Sequence, residues 1–183
     1  MTTYISILRG INVGGNRMIK MDALRQLFTK LGFQNIQTYI QSGNVVFQTD
    51  KKGNTELESI ISEAILATFT FEVPVIVKDL DELKAIVSNN PFLNDVSKDI
   101  AHLHVTFLDE QPLQEHFDKI KDVTYQADEF CLIDKAIYLY CPNSYSNSKL
   151  TNSFFENKLK VTATTRNWKT TNELVNIANK ISN

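Results

Sequence analysis

At 183 residues, 43% hydrophobic and 22% charged, the chain has room for one large or two small globular domains. A formal charge of −2 and a pI near 5.9 leave no global positive field to draw in nucleic acid or an anionic membrane. No apolar run approaches the roughly 20 residues of a membrane span, and the short N-terminal run lacks the length and basic flank of a signal peptide, so a cytoplasmic protein is expected.

The first strand is read over Tyr4 to Leu8. After it comes Arg9-Gly10-Ile11-Asn12-Val13-Gly14-Gly15-Asn16-Arg17, which holds half of the chain's six glycines. Loops of that length inside a domain are usually functional or mobile. A helix is expected from Met21 to Leu31, with Leu24, Leu27, Phe28 and Leu31 inward. Gly32 suits the left-handed position after it, and Phe33 can pack back on Phe28. Strands near Ile36 to Ile40 and Val45 to Phe47 are joined by Gln41-Ser42-Gly43-Asn44, with Ile36, Thr38, Ile40, Val45 and Phe47 sharing one face.

Thr55-Glu56-Leu57-Glu58 reads as a capping box for a second helix striped by Leu57, Ile60, Ile61, Ala64, Ile65 and Phe69. A strand follows at Val73 to Val77, and its Pro74 places it at a sheet edge. The order βαββαβ is that of the split βαβ, or ferredoxin-like, plan. A short helix at Leu80 to Val87 and a polar loop to Ala101 connect to a second round. That round has a strand at His102 to Phe107 and a helix begun by Pro112, with Leu113, Phe117 and Ile120 inward. A hairpin of Phe130 to Ile133 and Ala136 to Tyr140 is next, then a helix from Ser148 to Lys158 and a strand at Lys160 to Thr164. Thr170-Thr171-Asn172-Glu173 reads as a second capping box, opening a terminal helix striped by Leu174, Ile177, Ala178 and Ile181. The expected class is therefore α+β, with two ferredoxin-like subdomains at residues 1–78 and 79–183.

In the hairpin register Cys131 faces Tyr138, and Cys141 lies three residues farther on. That is roughly 10 Å of strand, too far for a disulfide, so two reduced thiols are expected.

This topology gathers the polar segments at sheet ends. Arg9 to Arg17 should lie beside Gln41 to Asn44. In the second round, Pro142 to Lys149 should lie beside Thr164-Thr165-Arg166-Asn167-Trp168-Lys169. The stretches LRGINVGG, QSGNVVF, SKL at Ser148 to Leu150 and TRNW-x-T at Thr165 to Thr170 together resemble the bacterial family called domain of unknown function 1697. The resemblance implies two ferredoxin-like subdomains and no established activity. Family members tend to carry glycine before the Ser-Lys-Leu, where this chain has Asn143-Ser144-Tyr145-Ser146-Asn147.

Gly10 and Gly15 have P-loop spacing, but Asn16-Arg17 stand where Lys and Ser/Thr are needed, which excludes a nucleoside triphosphatase of that type. A simpler anion site is the reading adopted here: Arg9, Asn12, Gly14, Gly15, Gln41, Ser42, Asn44, Ser148, Lys149, Arg166 and Asn167 around a phosphate- or carboxylate-bearing ligand in a cleft between the subdomains, with or without catalysis. No cofactor and no catalytic constellation is called for. His102 and His104, at i and i+2, are read as a solvated strand face rather than a metal site, since zinc needs three or four ligands, and His116 is read as surface. Two alternatives stand beside this reading: a single-stranded nucleic-acid module, disfavoured by the missing basic and aromatic pattern, or a structural or regulatory interaction protein.

Overall fold

Two four-stranded antiparallel sheets and six helices make up the computed structural model, a mixed α+β architecture described for residues 1–50 and 53–182. By contacts the chain divides into two units. One comprises Met1–Lys84 with the chain from Glu173 onward, the other Ala85–Asn172.

The first unit runs β1 (Thr2–Leu8), α1 (Met21–Lys30), β2 (Gln34–Tyr39), β3 (Asn44–Thr49), α2 (Asn54–Phe69) and β4 (Val75–Asp79), with sheet order β2-β3-β1-β4. Tyr4 and Leu8 of β1, Val45 and Phe47 of β3 and Val77 of β4 face the helices, where Leu24, Phe28, Leu57, Ile61 and Ile65 close the core. Phe47 lies 4.5 Å from Phe33 and 5.3 Å from Phe28, centroid to centroid. The end of α1 follows the expected geometry. Gly32, at φ +82°, donates to the Thr29 carbonyl and Phe33 to the Phe28 carbonyl, and the Phe28 and Phe33 rings meet at 5.7 Å. Ile5 and Ile7, pointing to the other face of the sheet, are also fully buried, so β1 is an apolar run with no exposed side. On that face Thr3 and Gln48 reach the last turn of α6 (Trp168–Ser182). The Thr3 and Ser182 hydroxyls are 2.7 Å apart, and the Gln48 amide donates to the Ile181 carbonyl at 3.3 Å.

The second unit begins within α3 (Leu80–Ser88). It continues with β5 (Leu103–Leu108), α4 (Gln114–Phe117), β6 (Glu129–Ile133), β7 (Ala136–Tyr140), α5 (Asn152–Leu159) and β8 (Ala163–Asn167), in sheet order β6-β7-β5-β8. Leu108, Ile137, Leu139, Leu150, Phe155, Leu159 and Ala163 form its core. The Tyr138 hydroxyl donates to the Ile86 carbonyl at 2.8 Å, anchoring α3 to this sheet. Cys131 pairs with Tyr138 in the expected register, and both cysteines are free thiols.

Local competition changes several sequence expectations. The box at Thr55 does not form: α2 begins at Asn54, and the Glu58 carboxylate instead accepts from the Val77 amide at 2.9 Å, while Asn54 donates to Glu82. The box at Thr170 is displaced by Asn167, whose side-chain oxygen accepts from the Thr170 amide at 2.7 Å one turn earlier. Helix α5 starts at Asn152 under a Thr151 cap rather than at Ser148, and Lys160 ends it in the left-handed region. Strand β8 therefore begins only at Ala163 and carries Thr164 to Asn167 within it, where a loop was expected. Leu113 precedes a single-turn helix and faces solvent, leaving Phe117 and Ile120 to fill the core. Ile40 leaves β2 at φ +51° and is half exposed, while Asn44 belongs to β3 and is buried.

Candidate functional site

The long loop after β1 is a built finger. Asn12 and Arg17 pair through their backbones, as do Val13 and Asn16, and Gly14 and Gly15 turn the tip with φ of +59° and +77°. Buried Ile11 and Ile19 plug its base into the core. Between them the Asn12 carboxamide accepts from the Ile19 amide at 2.8 Å and donates to the carbonyls of Ile19 at 3.0 Å and Gln41 at 2.8 Å. The finger and the β2–β3 hairpin are thus joined, as the topology required. Gly43 makes the junction tight: its carbonyl accepts from Leu8 at 2.8 Å, and a Cβ there would sit 2.7 Å from that of Leu8.

These contacts assign most of the candidate residues in this unit. Asn12 serves as the clamp. Asn44 donates to the Tyr39 carbonyl and the Ser42 hydroxyl and holds the hairpin turn. Gln41 contributes its carbonyl to the clamp, and Arg9 its amide to the Pro74 carbonyl. Gly14 and Gly15 are exposed. A cavity of about 380 Å³ opens beside the clamp, lined by Lys20, Met21, Asp22, Arg25 and Gln41, with Arg25 paired to both Asp22 and Thr38.

In the second unit, Ser148 is buried and its hydroxyl accepts from the Leu150 amide at 3.0 Å, while Lys149 is exposed. Asn167 caps α6, and its carbonyl also accepts from the Thr171 hydroxyl. Arg166 is different. It lies in edge strand β8 opposite Val105, and its guanidinium donates to the Thr164 hydroxyl at 3.1 Å and the Thr165 carbonyl at 2.9 Å. The residue as a whole keeps some solvent contact, but atoms crowd the guanidinium and burial lowers it to about 10, partly opposed by the Tyr145 phenol.

Five residues near Arg166 were not among the anion-site candidates. Tyr145 stacks on His104 with centroids 4.8 Å apart, and the Thr165 hydroxyl lies 2.7 Å from that of Thr106 and donates to the Asn152 carboxamide oxygen at 2.6 Å. His104 is thus not on a solvated face. It is half-buried, its Nδ1 lies 3.3 Å from the His102 carbonyl, and burial pulls its pKa below the ordinary 6.5. His102 sits in the turn before β5, its ring 6.3 Å from that of Tyr140, centroid to centroid. His116 is also held, with Nδ1 3.1 Å from the Leu159 carbonyl. The signal for Tyr145 is its neighbour: Ser144 adopts φ +85°, a conformation favouring glycine, in the segment where this sequence departs from the family's glycine.

Among the described residues no group of three or more His, Cys, Asp or Glu is arranged to hold a metal. Both thiols are driven up by burial, Cys141 to about 11 with the Asp128 charge adding and a hydrogen bond to Ser148 subtracting, so neither is an activated nucleophile.

A family described as "Protein of unknown function (DUF1697)" matches residues 1–138, well over half of the chain. The chain belongs to the DUF1697 family. LRGINVGG and QSGNVVF fall inside the DUF1697 match, whereas Ser148 to Leu150 and Thr165 to Thr170 lie beyond it. A solved structure described as conserved bacterial protein SP0830 from Streptococcus pneumoniae is similar, at 24% identity and a TM-score of 0.75, over 97% of this chain and 98% of that one. That likeness shows the fold. No curated protein matches. No helix among the described residues is long and apolar enough to cross a membrane.

Proposed function

We propose that this DUF1697 protein binds a small phosphate- or carboxylate-bearing anion through Arg166. The observation that carries this reading is the crowded guanidinium of Arg166, held in edge strand β8 by bonds to the Thr164 hydroxyl and the Thr165 carbonyl and set beside the Tyr145 phenol. A desolvated cation gains from an anion in two ways. Its hydrogen bonds to an anion are charge-assisted, and the low local dielectric strengthens them. The hydroxyls of Thr165 and Thr106 and the Tyr145 phenol extend the set of groups that can meet such a ligand. Asn12, Ser42, Asn44, Ser148 and Asn167 build the loops instead. Arg9, Gly14, Gly15, Gln41 and Lys149 stay as candidates.

The element order and the sheet order support a ferredoxin-like plan for each unit, and we read the protein as cytoplasmic. The test is a set of melting curves with phosphate, citrate and nucleoside monophosphates. The parent should rise in Tm with at least one of them, and Arg166→Gln should lose that rise. Arg9→Gln is the comparison, and loss there too would mean that both cations serve one ligand. A parent whose Tm no anion moves, or an Arg166→Gln variant that keeps the shift, would overturn the proposal. A titration with single-stranded RNA separates the nucleic-acid alternative.

A further inference from the structure

Exposed aliphatic side chains collect in two places, and the two carry opposite charge. At the first, the Asn12 clamp gathers Val13, Met18 and Ile40, which are 65%, 62% and 50% exposed. Each adjoins a residue in that network: Val13 follows Asn12, Met18 precedes Ile19 and Ile40 precedes Gln41. Arg17 and Lys20 stand exposed among them, and the nearby acid, Asp22, is paired with Arg25. The Asn12–Arg17 and Val13–Asn16 backbone bonds and the Asn12 clamp brace the finger that presents these side chains.

The second place is the connector between α3 and β5. Leu93, Val96 and Ile100 are 43%, 102% and 59% exposed there, interleaved with Asp95 and Asp99. This segment is also fixed, by the Asn90 and Asp99 caps and a run of backbone turns. Its one cation, Lys98, sits between Asp95, at 3.6 Å, and Glu129, with its ammonium 4.4 Å from the centre of the Tyr140 ring. Asp95, Asp99 and Glu129 outnumber this one cation, so the patch keeps a net negative charge.

Scattered exposed aliphatics need no explanation, but two rigid clusters, one ringed by cations and one by acids, have the make-up of an apolar contact with a complementary rim. We propose that the finger of one copy of this chain docks on the connector of a second copy. The patches are distinct, so every chain offers one of each, and the contact is heterologous. The match between them is why the occupant is assigned as a second copy rather than another macromolecule.

Complementation tests this. Val96→Asp leaves a chain with an intact finger and a spoiled connector, and Met18→Asp the reverse. Both positions are exposed, and unchanged melting temperatures for the two variants confirm that the fold survives. Sedimentation and light scattering, taken up to about 1 mM, the weak end of specific association, should show the parent self-associating, less so at high salt. Each variant alone should remain monomeric, and their mixture should form a one-to-one complex. A parent that stays monomeric throughout, a variant that self-associates as the parent does, or a mixture that stays monomeric would overturn the proposal.

Discussion

The side-chain amide of Asn12 donates to the backbone carbonyl of Gln41 at 2.8 Å and so ties the finger after β1 to the tip of the next hairpin. Asn12 makes two further bonds to Ile19 while its own backbone sits at φ +56°. Asparagine is one of few residues that tolerates that region and can also bond locally. Asn12→Ala should therefore cost about 2–4 kcal/mol, from lost bonds of about 1 kcal/mol each plus backbone strain. Asn12→Gly should recover only the strain, about 1 kcal/mol. Urea unfolding of the three proteins checks both values. Equal stabilities would mean the clamp contributes nothing.

The start of α6 offers a second measurement. Asn167 holds the Thr170 amide, so Asn167→Ala should cost about 1 kcal/mol and Asn167→Asp should keep most of the cap. A Tm unchanged in Asn167→Ala would place the helix start elsewhere.

The sequence was legible where one local pattern acted alone. The α2 stripe, the Gly32 and Phe33 helix stop and the Cys131 to Tyr138 register all follow from periodicity or turn chemistry within a few residues. It misled where two partners competed for one group. Glu58 looks like a capping residue from its neighbours, but the Val77 amide, 19 positions away, takes its carboxylate. The same ambiguity covers the candidate site. Asparagine and serine suit a ligand and suit their own loop equally well, and only the fold shows that Asn44, Ser148 and Asn167 satisfy the loop. His104 and Tyr145 were invisible as a pair because 41 residues separate them.

Ser144 stands at φ +85° immediately before Tyr145, and its side-chain bond, to the Ser146 hydroxyl, is on the surface, while its backbone bonds to Cys141 and Asn147 do not depend on the side chain. Left-handed backbone of this kind costs an ordinary residue about 1–3 kcal/mol. Ser144→Gly removes that cost in the folded state but raises the entropy of the unfolded chain by a smaller amount, about 0.4–1 kcal/mol. The variant should be more stable than the parent by about 1 kcal/mol. Chemical denaturation reads this directly, and a less stable variant would show that the turn is not strained.

The stack of Tyr145 on His104 has a pH signature. Burial is the main influence on His104 and disfavours its protonated form, so its folded pKa lies below the ordinary 6.5. The unfolded chain keeps the ordinary value. Between the two the unfolded state binds more protons than the folded one, so stability rises with pH there. The contribution is fully present above about pH 6.5 and is lost as the pH falls from 6.5 toward the folded pKa, where the loss levels off. His104→Phe keeps an aromatic ring against Tyr145 and removes the titration. Melting curves of both proteins between about pH 8 and pH 5 should run parallel at the upper end. Below about pH 6.5 the parent should fall away more steeply than the variant. If the two curves stay parallel down to pH 5, His104 keeps its ordinary pKa in the folded protein, and the packing of Tyr145 over it does not exclude water.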